Sequence, residues 1–224
     1  MVRQAGQLTI VDLSCPCVTP EMACSLFSIC LSLFLEHDNG IGRVIALDEA
    51  HKYMNDSSES MALTNGLMET IRLQRHLGAR VIISTQEPSI SPKLLDLCSV
   101  TIVHRFSSPD WLKTLKDHLA GVSSASRLAE RVEELAKTQK RDDGFDIRTI
   151  QFDSPDPLME LFSIIVDLKV GQSLMFAPSA IVGYQPPGAD GVPRLVPRRL
   201  GHGIMKVQVR ARVTADGGRS VLAN

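Results

Sequence analysis

Along the first half of the chain, short uninterrupted apolar runs alternate with longer stretches whose apolar positions recur at helical spacing. Leu8-Thr9-Ile10-Val11, Val44-Ile45-Ala46-Leu47, Val81-Ile82-Ile83 and Val100 to Val103 have the length of strands. Each runs straight into polar or charged residues: Asp12, Asp48-Glu49, Ser84-Thr85-Gln86 and His104-Arg105. After the first run, Thr19 predicts an N-cap and Pro20 the first helical residue, with periodicity to Leu35 and Asn39-Gly40 as the stop. After the second, a helix is predicted from about Glu59 to Leu77, with Leu63, Leu67, Met68 and Ile71 on one stripe and Gly78 closing it. Apolar runs without alternation are those buried on both faces, and helices between them predict a parallel α/β sheet. In such an open sheet ligands bind at the carboxyl edge of the strands.

Beyond Arg105 the texture changes. Ser108-Pro109-Asp110 predicts a helix start, and a second helix is predicted from about Ser124 to Lys137, followed by a polar patch from Lys140 to Gly144. Pro155 to Pro157 opens another helix, apolar through Leu168, and Ser173 to Ala177 has the character of a strand. Residues 184–203 are rich in Pro and Gly and read as a loop. Lys206 to Val213 then alternates strictly, as a half-buried strand with a positive outer face does. The segments expected are 1–107 as the α/β core, 108–150 as helical, and 151–224 as a helix with C-terminal strands and a basic tail.

Composition narrows the class. Of the 224 residues, 44% are hydrophobic and 22% charged, which excludes a disordered chain and a low-complexity fibre. The 24 Lys and Arg against 25 Asp and Glu give a net charge of −1, so the chain is not a basic nucleic-acid clamp as a whole. That sum hides an asymmetry, because the basic residues Arg194, Arg198, Arg199, Lys206, Arg210, Arg212 and Arg219 crowd the C-terminal end. The longest uncharged apolar run, Met22 to Leu35, falls short of the roughly 20 residues of a membrane span. No charged segment leads into an apolar one at the N-terminus, so no secretory signal is read. The 5 cysteines are an odd number. Cys24, Cys30 and Cys98 lie in apolar runs as small core residues, and Cys15-Pro16-Cys17 lacks the second Cys/His pair a zinc site needs. These features predict a reducing intracellular compartment, cytoplasm or nucleus.

The sharpest chemical signal is Val44-Ile45-Ala46-Leu47-Asp48-Glu49-Ala50-His51. Four apolar residues followed by two acids is the Walker B pattern of nucleoside triphosphatases. Asp48 at the strand end can hold, through water, the magnesium that bridges the β- and γ-phosphates. Glu49, one residue on, can orient or deprotonate the attacking water. At the end of the next strand, Thr85 and Gln86 offer a hydroxyl and an amide to a γ-phosphate oxygen or that water. The same residues also fit a plain strand end and a turn.

In this order, Leu8–Asp12, Val44–His51, the helix holding Ile71-Arg72-Leu73-Gln74-Arg75-His76-Leu77-Gly78, and Val81–Pro88 resemble the HerA/FtsK superfamily of P-loop motors. Val103-His104-Arg105, Pro109-Asp110 and Gly171 to Phe176 extend the resemblance over most of residues 7–177. It implies a RecA-like parallel sheet core with a helical and β C-terminal portion, ATP and Mg2+ as ligands, and a homo-oligomer, ring-shaped in the parent protein. It also implies ATP hydrolysis coupled to translocation or remodelling of nucleic acid. The catalytic set implied is Glu49, Gln86 and Arg75, with Asp48 and Thr85 on the nucleotide. The family's GxxxxGK[ST] phosphate loop is missing, for the sequence has no Gly-Lys dipeptide and begins almost at the strand that follows that unit. The expectation is therefore a truncated piece of a longer motor, inactive by itself. A competing reading is a non-catalytic P-loop-derived module for oligomerisation or scaffolding. A DEAH-type helicase fits less well, because Ser-Ala-Thr after the next strand and a Gln-x-x-Gly-Arg motif are both lacking.

Arg72 and Arg75, expected on one helix face with Glu69 a turn earlier, read either as an arginine finger for a neighbouring subunit or as a solvated face with a Glu–Arg pair. Arg80 and Arg105 are alternative fingers. The basic residues Arg194, Arg198, Arg199, Lys206, Arg210 and Arg212 fit DNA phosphates inside a ring, or a charged edge strand that blocks unwanted pairing. His37, His76, His118 and His202 show no metal-ligand spacing, and Trp111 is expected in the core.

Overall fold

A computed structural model describes residues 5–13, 15–36, 40–54, 57–118, 157–184 and 196–210. The chain divides into two compact units, Met1–Cys98 and Ser99–Asn224. The predicted helix over Ser124–Lys137 and the polar patch at Lys140–Gly144 lie outside the described residues.

The first unit holds α1 (Pro20–Leu35), β1 (Arg43–Leu47), a 3-10 helix (Ala50–Tyr53), α2 (Ser58–Arg72), β2 (Ala79–Ile83) and α3 (Pro92–Asp96). α1 starts where its sequence says. The Thr19 hydroxyl accepts from the Met22 amide at 3.3 Å, and Pro20, lacking an N–H, stands where that donor has no helical partner anyway. Ser57 caps α2 in the same way, accepting from the Ser60 amide at 3.2 Å. β1 and β2 pair in parallel with Arg43 beside Ala79 and Leu47 beside Ile83. At the opposite end, Gly78 takes a left-handed turn (φ 57°) so that its carbonyl accepts from the Arg43 amide at 2.8 Å. The Arg43 guanidinium donates to the Leu77 carbonyl at 3.2 Å, which is how an arginine comes to be buried at a strand start.

One face of this two-stranded sheet is packed and the other is not. Ile45 and Leu47 join Leu63, Leu67 and Met68 of α2, Cys24 and Leu31 of α1, and Leu94 of α3 in one core. Along β1, however, burial alternates, and Val44 and Ile82 are 61% and 57% exposed. The unbroken apolar runs therefore do not signal burial on both faces in this chain. A second correction concerns Leu8–Val11. It belongs to no strand, and Leu8 and Ile10 stand 80% and 79% exposed. A third concerns α2, which ends at Arg72 and not Leu77, the chain passing into turns before Gly78. α1 carries a further exposed apolar stripe, Met22, Leu26, Ile29 and Leu33, opposite its buried face.

The second unit is built around antiparallel pairing. β3 (Thr101–Val103), β4 (Gln172–Phe176) and β7 (Met205–Gln208) form one sheet in the order β3-β4-β7, both pairs antiparallel. The pattern of Val100–Val103, which predicts a fourth parallel strand, misleads. Three residues are too few for periodicity to tell parallel from antiparallel pairing. α4 (Pro109–His118) and α5 (Pro157–Val166) follow the predicted helix starts. Leu115, Leu161, Ile165, Leu168, Leu174, Phe176 and Ile204 make the core of this unit. Trp111 is half-buried, its ring 6.2 Å from that of Phe106. The alternating strand expected over Lys206–Val213 is shorter, since Val209 and Arg210 lie outside β7 and residues 211–213 outside the described set. Within the Pro- and Gly-rich stretch read as loop, β6 (Pro197–Arg199) pairs antiparallel with β5 (Ile181–Tyr184). The architecture is thus mixed α/β, with a parallel two-stranded sheet in one unit and antiparallel sheets in the other. Among the described residues no helix is long and apolar enough to cross a membrane.

The cysteines divide by exposure. Cys24 is fully buried and its thiol donates to the Tyr53 carbonyl at 3.3 Å. Burial pushes its pKa up, and the carboxylates of Glu21 and Glu59 push the same way. Cys15 and Cys17 are exposed. Iodoacetamide followed by peptide mass mapping should find Cys15 and Cys17 alkylated in the native chain, and Cys24 modified only after denaturation.

Candidate functional site

The two parallel strands end level, and backbone bonds continue past them. The Ser84 amide donates to the Leu47 carbonyl at 2.8 Å, and the Ala50 amide donates to the Ser84 carbonyl at 2.9 Å. Between these bonds lie Asp48 and Glu49. Glu49 has φ 52° and ψ 44°, the one non-glycine among the described residues with positive φ. Left-handed backbone costs an ordinary residue about 1 kcal/mol, and such strain clusters at functional sites. The turn is fixed on one side by Asp48, whose carboxylate accepts from the Glu49 amide at 3.1 Å. On the other side, the Tyr53 carbonyl closing the 3-10 helix accepts from the Ser60 hydroxyl at 2.6 Å and from the Cys24 thiol.

This geometry brings four side chains together. The Gln86 amide donates to Glu49 Oε1. His51 Nε2 lies 3.4 Å from Glu49 Oε2 and 4.0 Å from Glu87 Oε1. Asp48 is exposed beside them, while Glu49 is partly covered. Of the residues expected at the site, Glu49 and Gln86 are in direct contact, and Asp48 is adjacent through the turn. Thr85 serves the loop itself: its hydroxyl donates to the Glu87 carbonyl at 3.1 Å and accepts from the Glu87 amide at 3.4 Å. Arg75 is exposed in the turns after α2, not on a helix face with Arg72, because the helix ends at Arg72. Arg80 is exposed and its guanidinium donates to the Ala79 carbonyl at 2.8 Å. Asp12 follows a segment that joins no strand, so no ladder carries it to the edge shared by Asp48 and Gln86. Arg105 belongs to the other unit. Sequence reasoning misses His51 as a member of the site, although its place in Asp-Glu-Ala-His is a usable signal.

No family model matches the chain, and no curated protein does either.

A magnesium ion bound together with a phosphate ligand keeps several waters and needs only one or two carboxylates from the protein. Asp48, exposed at the strand end with one oxygen engaged by the Glu49 amide, fits that part. Among the described residues there is no group of three or more His, Cys, Asp or Glu that could cage a metal without substrate. A cleft of about 530 Å³ opens beside α2 and α3, lined by residues including Met54, Met61, Met68, Ser91 and Lys93. None of Asp48, Glu49 and Gln86 lines it, so its size does not bear on the carboxylate pair.

The basic residues of the second unit are spread over two sheets. Arg198 and Arg199 are exposed on β6, where the Arg199 guanidinium donates to the Ser179 carbonyl at 2.8 Å. Lys206 is exposed on β7, and Arg210 is exposed just beyond it. Arg194 and Arg212 lie outside the described residues, as does His37, whereas His76 and His202 are exposed.

Proposed function

We infer that the first unit is the Walker B portion of a P-loop nucleoside triphosphatase of HerA/FtsK type. In this reading Asp48 carries a magnesium ion through water, Glu49 activates the attacking water, and Gln86 reads the γ-phosphate. The observation that carries it is the hydrogen bond between Gln86 and Glu49 across the ends of adjacent parallel strands. Two acids at a strand end are common. An acid whose carboxylate is held from the neighbouring strand, on a left-handed backbone, is harder to explain as a turn alone. The RecA-like sheet, the ring-shaped homo-oligomer, Arg75 as the finger acting on a neighbour, and Thr85 on the nucleotide belong to the same proposal. DNA is the proposed cargo, with Arg198, Arg199, Lys206 and Arg210 on its phosphates and Arg194 and Arg212 as further contacts.

The competing module for oligomerisation or scaffolding draws on the exposed apolar stripe of α1 and on Val44 and Ile82. The two readings differ over magnesium. Calorimetric titration of the chain with ATP should give weak binding, Kd about 1 mM or above, that needs Mg2+ and is lost in Asp48→Ala. Binding indifferent to Mg2+ and to Asp48→Ala would remove the nucleotide reading and leave the scaffold.

A further inference from the structure

His51 has no role in that reading, yet its surroundings are unusual. Its side chain is only 13% exposed, and its Nδ1 is buried with no hydrogen-bond partner. Packing alone does not account for an imidazole there, since an apolar residue would fill the space without an orphaned nitrogen. The other nitrogen, Nε2, faces two carboxylates, Glu49 at 3.4 Å and Glu87 at 4.0 Å. The nearer carboxylate, Glu49, is the acceptor in front of Nε2, so the proton of the neutral imidazole belongs there, leaving Nδ1 bare. Gln86 meanwhile donates to the other oxygen of Glu49.

We propose that His51 is a positioning residue for Glu49: it anchors Oε2 while Gln86 holds Oε1, fixing the carboxylate between the ends of β1 and β2 before any ligand arrives. The proposal rests on the reading of Glu49 as the water-activating group and adds the residue that aims it. The two holders are unequal. His51 sits in the 3-10 helix, whose first amide is bonded to Ser84 and whose last carbonyl receives the Ser60 hydroxyl and the Cys24 thiol. Gln86 is exposed on a short loop. Gln86 is therefore the arm that turns to a phosphate oxygen or a water, and His51 the anchor that stays. When the arm leaves, Oε1 is freed in a direction still set by Oε2.

The test is NMR of the full chain, labelled with 15N at His and Gln, without nucleotide and in mildly alkaline buffer. In the wild type, His51 should report the Nε2–H tautomer, and the Gln86 side-chain amide should be displaced from the position of exposed glutamines. Glu49→Ala should remove both signatures. His51→Ala should move the Gln86 amide towards the exposed position, and His51→Gln, whose amide can still donate, should return it. Gln86 signals unmoved by Glu49→Ala or by His51→Ala overturn the proposal. So does a His51→Gln chain that behaves like His51→Ala, since His51 then acts only by filling space. Leu methyl signals report whether each variant is folded; if His51→Ala is not, Glu49→Ala and His51→Gln decide. Because no nucleotide is present, the two readings fail separately: ATP binding that is indifferent to Mg2+ and to Asp48→Ala removes the nucleotide reading and leaves the clamp standing, whereas unmoved Gln86 signals remove the clamp whatever ATP does.

Discussion

Leu67→Ala should cost the unit Met1–Cys98 about 3 kcal/mol, the size expected for a leucine truncated where neighbours cannot close the gap. Leu67 is 0% exposed and belongs to the cluster that joins α2 to Ile45 and Leu47 of β1 and to Leu94 of α3. Alanine is the better helix former, so α2 itself loses nothing, and the deficit is transfer plus cavity. A small unit has only about 5–15 kcal/mol of stability in total, so this is a large fraction. With a urea m-value of roughly 1.5 kcal/mol/M, the midpoint should fall by about 2 M. Leu73→Ala is the control. Leu73 caps the helix at 41% exposure, and its replacement should shift stability by no more than about 0.5 kcal/mol. Equal midpoints for the two variants would mean that the α2 core is not what holds β1 in place.

What can be read in the sequence, and what cannot, follows from how local each interaction is. The start of α1 is written in two neighbouring residues, Thr19 and Pro20, and it appears where they put it. The strand segments Val44–Leu47 and Val81–Ile83 are similarly self-announcing, and the backbone register then carries Glu49 to Gln86. Exposure of Val44 and Ile82 is not local, because whether a strand face is covered depends on elements elsewhere in the fold. The same holds for Leu8–Val11, whose apolar residues make a strand only if another strand lies alongside. β6 is hidden for a different reason. Pro197 opens it, and a proline at the first position of a strand is allowed where an interior one is not. His51 is only half hidden: its place in Asp-Glu-Ala-His is a signal, but nothing in the sequence indicates that two carboxylates face its Nε2.

Purified as it stands, the 224-residue chain should turn over ATP no faster than buffer does. In P-loop nucleoside triphosphatases, phosphate affinity comes largely from a loop of successive backbone N–H groups and a lysine on the β- and γ-phosphates. The sequence contains no GxxxxGK[ST], and the strand-end groups gathered at the site are Asp48, Glu49, Gln86 and Glu87 with His51. Three of these are acids. A phosphate charge about 6 Å from one carboxylate is repelled by roughly 3 kcal/mol at an effective dielectric near 20, and only magnesium relieves this. On the proposed nucleotide reading, a version of the chain extended with a phosphate-loop unit should change the outcome. The extended chain should bind and hydrolyse MgATP, and Glu49→Gln within it should keep binding while lowering kcat by about 100- to 10,000-fold, the usual worth of a general base. A coupled phosphate-release assay on the short chain, the extended chain and its Glu49→Gln variant separates the possibilities. Steady turnover by the short chain would mean that phosphate contacts come from residues outside this strand-end group, with the basic side chains Arg198, Arg199 and Lys206 of a neighbouring copy the first to replace. Full turnover by the extended Glu49→Gln chain would take Glu49, and with it the significance of its grip by Gln86, out of the chemistry.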